Sequence, residues 1–426
     1  MSADVDVCII GAGLAGISAA LAAKEAGASV LVLESTDRAG GKAKTLDGME
    51  RGPQSFNGRY EVFWKLLDAL DLSGEAYELG AAAQTRYLAR GGKLHALKPS
   101  PLTLFNTGAL TVQEKLALVR DAAGRRPVKP AASIHDFFAE RFGRSFADGP
   151  VAAMMNGIWT GDPHRLAMEG CFPGVVERCV QKKSVLRGMM SGPKTGRRGF
   201  FRLKGGMGRI GEAAAKALPI EVSVPVRELQ RDGSGFWVHA GRQIHARSIV
   251  VATEATAAAK LLWPIAPKLG AALGQLEYAP ISVVHWESDD ARFGPGFGYL
   301  ACPSERLFAL GTMFHGRRFS TFVRGAGEDD AVLAEGVTRD VRALTGGSVG
   351  KVLRVDRWTH AVFQPTVDAL QVRASIHPLA ADAGVQLAGS WLGAGAMKDA
   401  LTSGFEAGKK AHEASQRMQA WSRSLS

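Results

Sequence analysis

The sequence predicts a mixed α/β and α+β protein, with a discontinuous nucleotide-binding domain, a second domain built on a sheet, and a helical insertion. Three observations predict it. A glycine-rich turn joins a strand to a helix at the start of the chain, strand-like runs dominate from about Leu276 to Val372, and a Gly-rich loop follows a short strand near the end. At 426 residues the chain is also long for one core, which favours two or more domains.

The first element is the apolar run Asp4 to Ile10, too short for a helix and suited to a buried strand. Gly11, Gly13 and Gly16 then lead into an Ala-rich helix ending near Gly27, and a strand from Ser29 to Leu33 ends on Glu34. This is the spacing of a Rossmann-type dinucleotide site. Its first glycine makes the tight turn, its second admits the pyrophosphate, its third lets helix and strand pack closely, and the acidic residue takes the ribose hydroxyls.

The motif continues through Arg38, Gly40, Gly41 and Lys42. That extension resembles the FAD-binding signature of the amine-oxidase-like flavoprotein superfamily, in which the added glycines and basic residue bring backbone to the pyrophosphate. The resemblance implies FAD, with a nicotinamide as the lesser option. Gly52, Pro53, Gln54 and Ser55 form a turn that in the same superfamily lies against the isoalloxazine ring, and a helix from Tyr60 to Leu72 follows.

Farther along, Tyr87 to Leu97 reads as two strands around a Gly-Gly turn. From Thr111 to Pro173 the pattern is helical, with capping signals at Thr111 and Ser133. Arg178 to Lys204 is the most basic and least periodic stretch, holding Lys182, Lys183, Arg187, Lys194, Arg197, Arg198, Arg202 and Lys204. It reads as a solvated loop, or as a contact for anionic lipid through Met189, Met190, Phe200 and Phe201. A helix from Arg209 to Leu218 is expected next. Strands are then expected at Ile220–Leu229, Gly235–Ala240, Arg242–Ala246 and Ser248–Thr253, with the nucleotide domain resuming. Superfamily members meet the adenine at the position of Val226. At the end, a strand at Val385–Ala388, the loop through Gly389, Ser390 and Met397, and a helix from Asp399 close the nucleotide domain. The implied division is 1–80, 196–270 and 380–426 for the FAD domain, 81–98 and 271–379 for the substrate domain, and 99–195 for a helical, membrane-associating domain.

Composition sets outer bounds. Fifty-two Lys and Arg against 41 Asp and Glu leave a net charge of +11, which favours anionic partners such as a carboxylate-bearing substrate or an acidic membrane surface. No nucleic-acid motif accompanies the charge, so a nucleic-acid partner is not expected. The four cysteines are scattered and read as reduced core thiols of a cytoplasmic protein. The histidines show no metal spacing. The opening strand leaves no room for a signal peptide, and no uncharged run reaches the roughly 18–20 residues of a spanning helix. The expectation is a cytoplasmic protein, peripheral on a membrane at most.

Several segments resemble the protoporphyrinogen and coproporphyrinogen oxidase family. They are Thr85 to Leu97, Gly157 to Met168, Gly296 to Glu305 with Leu310-Gly311, and Leu387 to Trp391 through Asp399 and Ser403-Gly404. The resemblance implies FAD-dependent dehydrogenation of a porphyrinogen, with hydride leaving a meso carbon for flavin N5 and oxygen closing the cycle. It implies Arg86 as the propionate partner and Leu300, Met313 and Val323 as apolar clamps on the macrocycle. Backbone N–H groups at Met397 would stabilise charge on the reduced ring. No catalytic side chain is assigned, because the flavin carries the chemistry. The chain departs from the family at Ala361 to Pro365, at Ser390 and at Ala400, which bears on the exact substrate. Alternatives are a flavin amine oxidase, a carotenoid-type desaturase, or a non-catalytic homologue that binds flavin or tetrapyrrole. The amine oxidase is disfavoured by the lack of a lysine on Ile281 to Trp286. The oligomeric state is left open, a homodimer being one option.

Overall fold

A computed structural model describes residues 3–98, 106–192 and 196–424. Lys194 of the basic stretch lies outside the described residues, as do Pro99, Ser100 and Pro101, which read from the sequence as a proline-rich breaker. The chain divides into two compact units, one of Met1–Glu78, Thr195–Glu277 and Asp368–Ser426, the other of Leu79–Lys194 and Tyr278–Val367.

The first unit centres on the strand Val5–Ile10, which pairs in parallel with Val30–Leu33 on one side and Gln243–Val251 on the other. Flanking strands complete a seven-stranded sheet. Apolar side chains fill both faces here, as a parallel sheet covered by helices requires. The helices Leu14–Glu25 and Met397–Ser424 pack on each other at very short range. A Cβ at Gly404 or Gly408 would lie 2.2 Å from the Ala15 carbonyl oxygen or 2.1 Å from that of Ala19, so only glycine permits this approach. The C-terminal helix is thereby seated beside the opening motif, although nearly 400 residues of sequence separate them.

Three expectations in this unit need correction. Ile220–Leu229 is not one strand: pairing stops after Glu221 and resumes at Glu228, because Ser223 takes a left-handed φ of 57°. The segments Arg242–Ala246 and Ser248–Thr253 form a single strand, Gln243–Val251. The unit also resumes at Asp368 rather than near 380, through a helix Val367–Ala383. Pro378 sits inside that helix, and its apolar residues make no continuous stripe.

The second unit is a seven-stranded sheet in the order Lys351–Phe363, Tyr278–Glu287, Arg318–Arg324, Ala309–His315, Gly298–Ala301, Arg86–Arg90, Lys93–Leu97. All neighbours are antiparallel except Gly298–Ala301 with Arg86–Arg90. The helix Asp330–Thr345, within a stretch read as strand-like, covers one face with Leu333, Val337 and Val341 against Val284, Trp286 and Phe319. The helical stretch after residue 105 joins this sheet in one unit rather than standing as a domain of its own.

Among its described residues the basic stretch is not wholly loop. It contains the helices Val175–Lys182 and Val185–Met190, the second capped by Ser184, whose hydroxyl accepts from Arg187 N–H. Burial works to raise the Asp121 carboxyl, but N–H groups of Leu186 and Val185, the Ser184 hydroxyl and Arg141 outweigh it and hold it below its ordinary value. That carboxylate fixes where the two helices meet. Phe200 and Phe201 enter a small sheet of the first unit, and Phe201 is buried against Phe56 and Trp64. Phe201 is a core residue, which removes it from lipid contact, while Phe200 is half-buried on the same strand. Among the described residues no helix is long and apolar enough to cross a membrane.

Candidate active site

In the first unit each glycine of the opening motif has its own physical reason. Gly11 adopts φ +102°, which a side chain resists, and a Cβ there would sit 2.9 Å from the Ala252 carbonyl oxygen. Gly16 is packed so tightly that a Cβ would fall 1.8 Å from the Gly11 oxygen. Gly13 differs: its φ of −70° suits any residue, and a Cβ there would meet no protein atom within 4 Å. Nothing in the protein requires glycine at 13. A ligand lying over the turn would require it.

The same place offers donors. The helix opening at Leu14 has no side-chain cap, and the N–H groups of Gly13, Ala15 and Gly16 find no acceptor among the described residues. Unfilled first-turn donors under the positive end of a helix form an anion site. Gly41, at φ +56°, is pressed against Gly13 so closely that a Cβ would lie 2.9 Å from the Gly13 Cα. Glu34 is buried and accepts from Ala12 N–H at 2.7 Å and from Thr36 N–H and hydroxyl at 2.8 Å each. Val224 N–H donates to the Glu34 carbonyl at 2.8 Å, which carries Val226 past the end of the Val30–Leu33 strand. Neither the N–H nor the carbonyl of Val226 has a partner among the described residues. That leaves a free donor and acceptor for a base edge.

The basic residues serve the loop. Arg38 donates to the carbonyls of Ala39, Gly41 and Ala43, so it shapes the Gly40-Gly41 backbone from behind. Lys42 Nζ pairs with Glu254 at 2.9 Å. Gly52 is pinned against that loop, since a Cβ there would lie 2.2 Å from the Lys42 oxygen. Beyond it, with Pro53 and Ser55 on either side, Gln54 donates to the Glu50 and Gly52 carbonyls at 2.9 and 3.1 Å. Its Oε1 is buried with no hydrogen-bond partner among the described residues. An orphaned acceptor of this kind calls for a donor, which the imide N–H of a flavin ring can supply.

The closing loop is held by Asp399 and Ser403, which lie in the segment the sequence marked, and by Arg373, which the sequence did not single out. Asp399 accepts from Ala394 and Ala396 N–H at 3.0 Å each, and Arg373 donates to the Gly393 carbonyl. Ser403 exchanges hydrogen bonds with both backbone groups of Gly389, and the Ser390 carbonyl accepts from Gly393 and Gly395. The N–H groups of Met397 and Lys398 are left without acceptors among the described residues, at the positive end of a 28-residue helix. They suit an anionic ring edge. An acidic residue in a first helical turn was the sequence signal for Asp399. Arg373 gave none, since its partner lies 20 residues away.

In the second unit the sheet registers sort the candidate substrate residues. Arg86 pairs with Gly298 and Gly298 with Met313, while Leu88, Leu300, Gly311 and Phe322 form the next rung. Side chains alternate across a sheet, so Arg86, Leu300, Met313 and Phe322 share one face. Gly298 and Gly311 stand on the same rungs and add no side chain to that face. Burial works to lower the Arg86 pKa, and its guanidinium lies over the Phe297 ring at 5.0 Å. Leu300 is half-buried against Gly157 of the helix Ala152–Trp159. Val323 points the other way. It is 2% exposed and packs with Val284, Phe319 and Leu333, so it belongs to the core under the Asp330–Thr345 helix, and Phe322 takes its place on the face of Arg86, Leu300 and Met313.

The model of the flavin containing amine oxidoreductase family matches residues 14–410. The chain belongs to that family. It is therefore an FAD-dependent oxidoreductase, and the donors, glycines and orphaned acceptor described above fit that cofactor. The chain is 25% identical to bovine (Bos taurus) protoporphyrinogen oxidase over 354 residues, 72% of each chain. It is 27% identical to coproporphyrinogen III oxidase of Propionibacterium freudenreichii over 449 aligned positions, 86% of this chain and 82% of that one. A candidate protoporphyrinogen oxidase from Exiguobacterium sp. 255-15 shares the fold with a TM-score of 0.81 at 18% identity, covering 97% of this chain and 100% of the other. Cyclohexylamine oxidase of Brevibacterium oxydans superposes at 0.71 and 19% identity, covering 98% and 100%.

Proposed function

We propose that this flavoenzyme oxidises a porphyrinogen to the porphyrin, as a step of haem synthesis, with oxygen as terminal acceptor. The observation that carries the reading is one face of the sheet in the second unit, where Arg86 shares a side with the apolar residues Leu300, Met313 and Phe322 and the side-chain-free Gly298 and Gly311. A flat apolar macrocycle with carboxylate arms matches such a surface, and a guanidinium suits a propionate by its bidentate geometry. Bound FAD supplies the two-electron acceptor for a hydride from a meso carbon, while a pyrrole proton passes to solvent. The chain's own part is to hold and orient. Gly13, Gly41 and the first-turn N–H groups seat the pyrophosphate, Glu34 and Val226 the adenosine half, and Gln54 Oε1 with the Met397 and Lys398 N–H groups the ring. The strand Tyr278–Glu287 carries no lysine, which speaks against amine chemistry. The test is aerobic turnover with protoporphyrinogen and coproporphyrinogen separately, read as fluorescent porphyrin with matching peroxide. Product from neither, with amines consumed instead, rejects the proposal.

We further propose peripheral attachment to an anionic membrane. On the helix Val112–Ala122, the residues Val112, Leu116 and Val119 are 73, 48 and 48% exposed, one turn apart on a single face. Met190, 68% exposed, lies on the neighbouring helix near Lys182, Lys183 and Arg187. An apolar stripe with a basic rim suits an acidic lipid surface. Vesicles containing phosphatidylserine should retain the protein at low salt and release it at high salt, and Leu116→Asp should reduce retention several-fold. Equal retention on neutral vesicles, or none on either, contradicts this attachment.

A further inference from the structure

Outside the cofactor and substrate regions, one cluster of ligating side chains stands out. His135 opens the helix Ile134–Phe142 and His164 follows the turn at Asp162-Pro163, so the fold joins residues that are 29 apart in sequence. The two imidazole rings stack with centroids 3.7 Å apart. His135 Nδ1 lies 3.1 Å from Asp136 Oδ1, and its Nε2 lies 3.1 Å from Asp148 Oδ1. One ligand atom from each of His135, Asp136 and His164 falls within 4.8 Å of the others.

We propose that His135, Asp136 and His164 bind a divalent first-row transition ion, with Zn2+ the first choice. Two imidazoles and one carboxylate make a borderline donor set that suits zinc better than magnesium or calcium. The spacing agrees as well. Ligand atoms about 2.0–2.1 Å from a tetrahedral zinc are roughly 3.3 Å from one another, close to the Nδ1–Oδ1 separation. His164 is exposed, and to reach the ion its ring would leave the stack on His135 and turn its nitrogen toward the other two ligand atoms. With the ion on Nδ1, the Nε2–H donates to Asp148, which is the carboxylate–histidine–metal arrangement that fixes ring orientation. The backbone beneath is already set, because His135 N–H donates to the Pro163 carbonyl at 2.9 Å and Ile134 N–H to the Leu166 carbonyl at 2.9 Å. Three protein ligands leave one position for water. The ion would tie the start of this helix to the 161–165 turn.

The experiment is equilibrium dialysis of the FAD-loaded protein against micromolar Zn2+, with metal read by atomic absorption and stability by thermal melt. The expected result is one tightly held zinc per chain and a zinc-dependent rise in Tm. His164→Ala and Asp136→Asn should each weaken binding by about 10-fold or more and abolish the rise in Tm, while FAD content stays unchanged. Asp148→Asn should weaken binding within the roughly 10–100-fold range of an orienting partner. Wild-type protein that holds no zinc, or variants that hold it as tightly as wild type, would overturn the proposal.

Discussion

Gly13→Val protein is expected to purify folded and nearly colourless. The backbone at 13 accepts any L-residue, and a Cβ there meets no protein atom within 4 Å, so circular dichroism and Tm should match wild type. The added methyl groups instead occupy the space over the uncapped N–H groups of the first helix. Excluding a pyrophosphate from two charge-assisted hydrogen bonds, at about 1.5–3 kcal/mol each, lowers FAD affinity by roughly 10²–10⁴-fold. The check is the ratio of flavin to protein absorbance after gel filtration. Gly16→Ala gives the contrast, because its Cβ would fall 1.8 Å from a carbonyl oxygen, so flavin and fold should be lost together. A yellow, fully loaded Gly13→Val protein would show that the cofactor does not cross this turn.

The second large effect concerns Arg86. Arg86→Ala should keep its FAD and its melting temperature while KM for the porphyrinogen rises and kcat changes little. A partner for a propionate contributes to ground state and transition state alike. One hydrogen-bonded charge pair is worth about 1.5–3 kcal/mol, so kcat/KM should fall roughly 10- to 150-fold. Arg86→Lys should recover only part of this, since an ammonium lacks the planar fork. Unchanged steady-state constants in Arg86→Ala would reduce Arg86 to a residue stacked on Phe297.

What the sequence made legible follows from how local each feature is. The strand, turn, helix and acidic residue of the opening motif lie within 5–34 and depend on short-range geometry, so their spacing alone sufficed. The closing loop announced itself by its glycines. The side-chain parity of the substrate sheet could not be read the same way. The register Met313 to Ser320 and Gly311 to Phe322 puts Phe322 on the face of Met313 and the next residue, Val323, on the opposite face, and that pairing cannot be read from one strand alone. The helix Asp330–Thr345 carried a signal in Leu333, Val337 and Val341, four residues apart, but it was masked by the strands around it. Arg38 was read from its motif as helping to bring the loop backbone to the cofactor, and its guanidinium is taken up by three carbonyls of that loop. Arg373 and the pair His135 and His164 depend on contacts between distant segments, for which a lone sequence holds no local signal.

The account rests on electrons moving from a porphyrinogen to the bound flavin. Anaerobic stopped-flow mixing of the yellow enzyme with protoporphyrinogen and with coproporphyrinogen tests that most directly. Flavin absorbance should bleach within one turnover with at least one of them, and should return when oxygen is admitted. A flavin that stays oxidised with both, but bleaches with a polyamine, contradicts the account.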